Sequence, residues 1–330
     1  MGWLSPRNTP RFSGNPTGGT PLPIVVLTAM LVLACERTPP ASARKDTVVS
    51  VAPPPETTVV PVVEASKWDS TAGPALFVLG PTVQEALVIM SRYTDTTAID
   101  SLRLDVGTLR SKPIDLFAAG SRIGRARIGA ITVTTRSDSC RTWPIARLEP
   151  RLTDTTVYEA AVGFEAEHAA EWPVDSIAAL PQADSARLVA DIARIASALP
   201  GDTAAAFRGL PFVVTNAWRT KAGGGPQVIA AIVIRNVNQE ANPRQERILL
   251  LAERDTLTTT ARYIPRYSER VTGLEETVET TDVIAMVLLG ADRRPTVVVA
   301  RDAGNGTSYA LIERIAGVWQ RRWASAYAGC

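Results

Sequence analysis

Apolar positions in this chain come in short runs separated by polar segments, and their spacing changes along its length. Beyond residue 205 the runs are mostly continuous: Phe212–Val214, Val228–Ile234, Ile248–Ala252, Val283–Leu289, Thr296–Ala300, Tyr309–Ile315 and Val318–Trp323. Continuous runs of this length predict strands with both faces covered. Asn305-Gly306, between two of them, is a hairpin turn signal. Earlier, Leu188, Ile192, Ile195 and Leu199 form one stripe at helical spacing. A helix is predicted over 184–199, capped by Asp184 or Ser185 and ended by Pro200-Gly201. Val83, Leu87 and Met90 also fall on one helical face, which predicts a short helix over 83–93. Ile128–Thr134 and Trp143–Leu148 predict paired strands, and the alternation around Val162 and Phe164 favours a strand within 156–172.

The expected fold is α+β, mainly antiparallel β-sheet with a few helices. Four segments are expected: a targeting segment over 1–34, a linker over 35–66, an α+β region over 67–205 and a β-rich region over 206–330. The last two could form one domain.

Residues 1–34 carry Arg7 and Arg11, no acidic residue, and the apolar run Leu22–Ala34. That run is shorter than the ~20 residues a helix needs to cross a bilayer, so it fits a signal-peptide core. It ends in Val32-Leu33-Ala34-Cys35, which resembles the bacterial lipobox. The resemblance implies cleavage before Cys35 and acylation of that thiol, with two or three chains giving a stable membrane anchor. Glu36 is not the aspartate that retains such lipoproteins at the inner membrane, so the bacterial cell envelope is expected, with the outer membrane favoured. Residues 36–66, with Pro53-Pro54-Pro55 at their centre, read as an extended stalk.

Removing residues 1–34 leaves 296 of 330 residues and equal numbers of basic and acidic side chains, 33 each. A formally neutral chain argues against nucleic acid as a partner. With Cys35 acylated, Cys140 and Cys330 remain as an even pair in an oxidising compartment, and a disulfide is expected between them. The alternative, a nucleophilic or metal-binding thiol, has little support from a chain with one histidine and no CxxC.

Two stretches look alike. Val228–Ile234 precedes Ile248–Asp255, and Val283–Leu289 precedes Val297–Asp302; each pair ends in Arg-Asp. The last unit continues through Ser308–Arg314 and Gly317–Trp323. Four short antiparallel strands in succession resemble one blade of an FG-GAP-like propeller, a blade-like β-meander. That family implies a calcium-binding first loop, but here the loop is Gly290–Pro295, with Asp292 beside two arginines, a poor calcium site.

Motifs for catalysis are sparse. His168, with Glu165, Glu167 and Glu171 nearby, would gather a metal only if helical, and a strand is favoured. Ser42–Lys45 lies in the linker, Gly223–Gly225 lacks a phosphate-loop continuation, and Glu275, Glu276 and Glu279 read as a solvated run. No catalytic residue, metal site or cofactor is assigned. Trp319, Trp323 and Tyr327, with Arg321 and Arg322 between them, are the candidate binding aromatics. On a regular strand Trp319, Arg321 and Trp323 would share a face and could bind sugar or a partner protein; packing under the Cys140–Cys330 closure is the favoured reading. The expected role is a membrane-anchored envelope lipoprotein that is structural or binds an envelope protein or polysaccharide. The alternatives are an envelope hydrolase with a carboxylate site and a calcium-stabilised propeller-like module.

Overall fold

The computed structural model describes residues 75–79, 84–90, 107–133, 142–149, 161–200, 204–221, 225–237, 242–254, 262–304 and 306–329. All belong to one compact unit, Val63–Cys330. The targeting segment, the linker, Cys35, Cys140 and Cys330 lie outside the described residues.

Antiparallel strand dominates, so the body is closer to all-β than to an α+β arrangement. The first six strands are β1 (Ala75–Leu79), β2 (Glu85–Met90), β3 (Pro113–Ala118), β4 (Ser121–Thr132), β5 (Ile145–Glu149) and β6 (Ala161–Glu165). They close into a barrel in the order β1-β2-β5-β4-β3-β6. Its lumen is filled by side chains such as Phe77, Val88, Ile114, Leu116, Ile128 and Leu148. Within the predicted helix over 83–93, the described residues instead form strand β2, Glu85–Met90. Ala86 and Val88 point into the lumen, while Leu87 and Ile89 pack outward against a neighbouring sheet. A barrel strand covered on both sides needs an unbroken apolar run, and the helical spacing of Val83, Leu87 and Met90 was incidental. The predicted pairing of the 128–134 and 143–148 segments is present as β4 against β5, with Ile128 opposite Leu148.

The remaining strands make two sheets of the same construction. β7 (Ala169–Glu171) and β8 (Val174–Ser176) are three-residue edges on one chain passage. β8 borders the meander β9 (Val213–Thr220), β10 (Gln227–Val237), β11 (Arg244–Arg254) and β12 (Ile264–Leu274). β7 borders the meander β13 (Thr280–Leu289), β14 (Arg294–Asp302), β15 (Thr307–Ile315) and β16 (Val318–Ala324). The helix α1 (Gln182–Ser197) buries Leu188, Ile192 and Ile195 on the β8–β12 sheet. Its cap is Pro181, three to four residues before the predicted Asp184 or Ser185, and makes no side-chain cap hydrogen bond.

Four cores thus separate successive layers. One fills the barrel, and one joins the barrel to the β13–β16 sheet. One joins the two sheets, and one lies between the β9–β12 sheet and α1. Each sheet has a helix-side face and a barrel-side face. Comparing the meanders strand for strand, Arg235 of β10 matches Arg301 of β14 in strand rank and face, and Glu253-Arg254 of β11 match Glu313-Arg314 of β15, the two matches differing by two residues in register. Both aligned glutamates point to the barrel side and all four arginines to the helix side, as the cores flanking them show. The sheets therefore stack in the same sense. The sequence likeness instead pairs β10–β11 with β13–β14, one strand out of step, because central buried strands share a composition whatever their rank.

Candidate functional site

Several charged groups of the described body meet between the two sheets, around carboxylates of β11 and β12. Glu253 on β11 is the first. Arg314 Nε donates to it at 2.5 Å and Trp319 Nε1 at 2.8 Å, while Arg266 lies 3.5 Å away. Arg314 and Trp319 come from β15 and β16, so this carboxylate ties one sheet to the other. Trp319 also stacks on Trp172, with ring centroids 6.3 Å apart and planes at 18°.

The second group lies where β12 approaches β16. Glu269 accepts from Arg301 and from Tyr267, and Arg321 sits 3.7 Å from it. Arg301 also reaches Glu279, which accepts from Tyr327. Burial raises the Tyr267 phenol well above its ordinary range, and the Glu269 charge adds to the effect. Burial also raises Tyr327, reinforced by its bond to Glu279. Both phenols therefore stay protonated and donate. Glu269 and Glu279 lie on either side of one guanidinium, which holds them as counter-ions.

A separate carboxylate, Asp115, is 2% exposed on β3 of the barrel. It accepts from Arg125 Nε at 2.8 Å and from the Glu167 N–H at 3.0 Å. Burial alone would raise its pKa. The hydrogen bonds, with the charges of Arg125 and Arg122, outweigh burial and hold it below the usual carboxylate value. Asp115 fixes the turn after β6, where Glu167 takes φ +72°.

The structure separates the candidate aromatics. Trp319 and Trp323 are 3% and 2% exposed, so neither offers a binding surface. They lie on opposite faces of their sheet, Trp319 toward the other sheet and Trp323 toward the barrel. The cause is a β-bulge: Leu311 pairs with Trp323 but Ile312 with Arg321, so Arg322 is extra and inverts the alternation. The expectation of one shared face is corrected accordingly. Tyr327, half-buried, belongs to the Glu279 group.

His168 lies in the turn between β6 and β7, with Nδ1 3.3 Å from the Ala166 carbonyl. Among the described residues no group of three or more His, Cys, Asp or Glu is placed to hold a metal. Asp292 is 2.6 Å from Arg294, and Asp302 accepts from the Gly304 N–H. Glu275 and Glu276 are exposed in the turn after β12. Residues 222–224 lie outside the described set. No described helix is long and apolar enough to cross a membrane.

Reading the sequence missed Glu253, Glu269 and Asp115. Glu253 could have been noticed as a carboxylate that extends the buried run Ile248–Ala252, where a charge needs partners. Nothing local marks the arginines that serve it, 61 residues away in the case of Arg314. No protein-family model matches the chain, and no curated protein or solved structure shows significant similarity to it.

Proposed function

We propose that this chain is a bacterial envelope lipoprotein, held to a membrane by acylated Cys35, with a body that binds an envelope protein or polysaccharide or acts structurally. The observation that carries the reading is Val32-Leu33-Ala34-Cys35 at the end of a charge-free apolar run. The outer membrane is the favoured address, by the residue that follows the cysteine. The body suits a scaffold role. Its barrel lumen is filled, and the carboxylates between the sheets are bound to arginines rather than facing each other as an acid–base pair needs. Two meanders stacked in the same sense support the blade-like reading of the C-terminal region, with ion pairs in the place of calcium.

The test is the intact mass of the protein from its native membrane, with and without reduction, beside a Cys35→Ala variant. The expected mass is that of a chain starting at Cys35 plus acyl groups, rising by two protons on reduction. Cys35→Ala should move the protein out of the membrane fraction. An unacylated full-length chain, or a variant that stays membrane-bound, would refute the tether.

A further inference from the structure

The aligned meanders place equivalent donors in different settings. In the β13–β16 sheet, Arg314 and Trp319 face the preceding sheet and converge on its Glu253 carboxylate. Their counterparts in the β9–β12 sheet are Arg254 and Tyr263. Arg314 sits opposite Trp319, and Tyr263 precedes Ile264, the partner of Glu253. No sheet precedes this one on its helix side, where α1 lies instead.

Arg254 and Tyr263 there share a neutral acceptor. Arg254 Nη2 and the Tyr263 hydroxyl each donate to Gln227 Oε1 at 2.6 Å. The Arg254 guanidinium lies 4.8 Å from the Tyr263 ring centroid. Its hydrogen bonds are met in part, but among the described residues no carboxylate pairs with it. Arg219 on β9 points to the same face, opposite Ile229, and its Nε is buried without a hydrogen-bond partner. The nearest acid to Arg219 is Asp175, at 3.9 Å, shared with Lys221 at 3.7 Å. On α1, Asp191 is bonded to Arg194 at 3.2 Å. Arg194, Arg219, Lys221 and Arg254 therefore outnumber Asp175 and Asp191 by two charges. Arg219 keeps 22% of its side chain exposed, so the group is open to solvent.

We infer that Arg254 and Arg219 form a binding site for a carboxylate ligand, which takes the place that Glu253 occupies for Arg314. Guanidinium groups with free N–H donors match a carboxylate in shape and charge, and a partly desolvated setting strengthens the pairing. This site gives a ligand class to the binding part of the reading above and is independent of the tether, because an unacylated chain would carry it equally.

The test is an NMR titration of the arginine Nε–Hε signals of the full chain in detergent. The ligands are N-acetylglutamate α-methylamide, which carries one carboxylate, and its neutral analogue N-acetylglutamine α-methylamide, at matched ionic strength. Two arginine signals should shift saturably with the acid and not with the amide. Arg254→Met and Arg219→Met should each weaken binding by about tenfold or more, the value of one charge-assisted hydrogen bond. Arg110→Met, at an exposed position beside the barrel, should leave binding unchanged. Should either core variant fail to fold, the wild-type titration still decides. Equal shifts with acid and amide, a response that never saturates, or full binding by a folded Arg254→Met protein would overturn the proposal. Polyglutamate separates the sources: much tighter binding than the single residue indicates an acidic polypeptide, and equal binding a small free acid.

Discussion

Glu253→Ala is the sharpest test of the seam between the sheets. The carboxylate is 5% exposed and serves three donors from three strands. Trp319 is 3% exposed, so its Nε1 would lose its acceptor where water cannot replace it, at about 1–3 kcal/mol. Arg314 keeps 27% of its side chain exposed and partly rehydrates, which reduces its share to about 1 kcal/mol. Arg266, with 48% exposed, contributes less than about 1 kcal/mol. The expected loss is about 3–4 kcal/mol, within the range for breaking one side of a buried pair. Glu253→Gln keeps an acceptor for the indole and loses only the charge, so it should cost about half as much. Urea unfolding followed by tryptophan fluorescence measures both, with an unchanged m-value showing that the comparison is sound. Trp319→Phe should cost less in the Glu253→Ala background than in the wild type, because the bond it removes is already gone. A loss below about 1 kcal/mol for Glu253→Ala, or equal losses for Ala and Gln, would show that the seam is held by apolar packing alone.

Three further outcomes follow from the same structure. Asp115 has a depressed pKa, so its stabilising effect is full above the unfolded value of about 3.9 and is lost as pH falls through the folded value; wild type and Asp115→Asn should converge in stability on acidification, as urea midpoints from pH 6 downward will show. Burial, helped by the Asp302 charge, pushes Tyr309 up to about 12, so the unfolded phenol ionises first and stability should fall from about pH 10 upward, an effect that Tyr309→Phe should reduce. A Cβ on Gly120 would meet the Trp172 carbonyl oxygen at 2.1 Å, whereas one on Gly107 would meet nothing within 4 Å; Gly120→Ala should therefore cost about 1–3 kcal/mol by urea unfolding and Gly107→Ala almost nothing.

The sequence by itself determined several of the buried strands and the amphipathic helix, because burial on two faces or on one stripe leaves a local pattern, but that pattern predicted a helix for β2 and did not mark β1 or β3. β10, β11, β13 to β16 and α1 are all legible in that way. It also carries the lipobox-like motif, which needs no tertiary context to be read. The pattern is silent on partners. The same apolar run serves a barrel wall in β2 and the centre of a sheet in β10, and only closure of β6 on β1 separates the two. β12 left no signal because, as an edge strand, it alternates irregularly between solvent and seam. The faces of Trp319 and Trp323 were decided by one extra residue, Arg322, whose bulge depends on the register of the neighbouring strand. The carboxylate groups were decided last, since a charge inside a β body is tolerated only where the fold brings arginines to it from distant strands. Glu253 meets Arg314 across 61 residues because two meanders stack in the same sense. Among the described residues Arg254 meets no such carboxylate, because that stack begins with its own sheet.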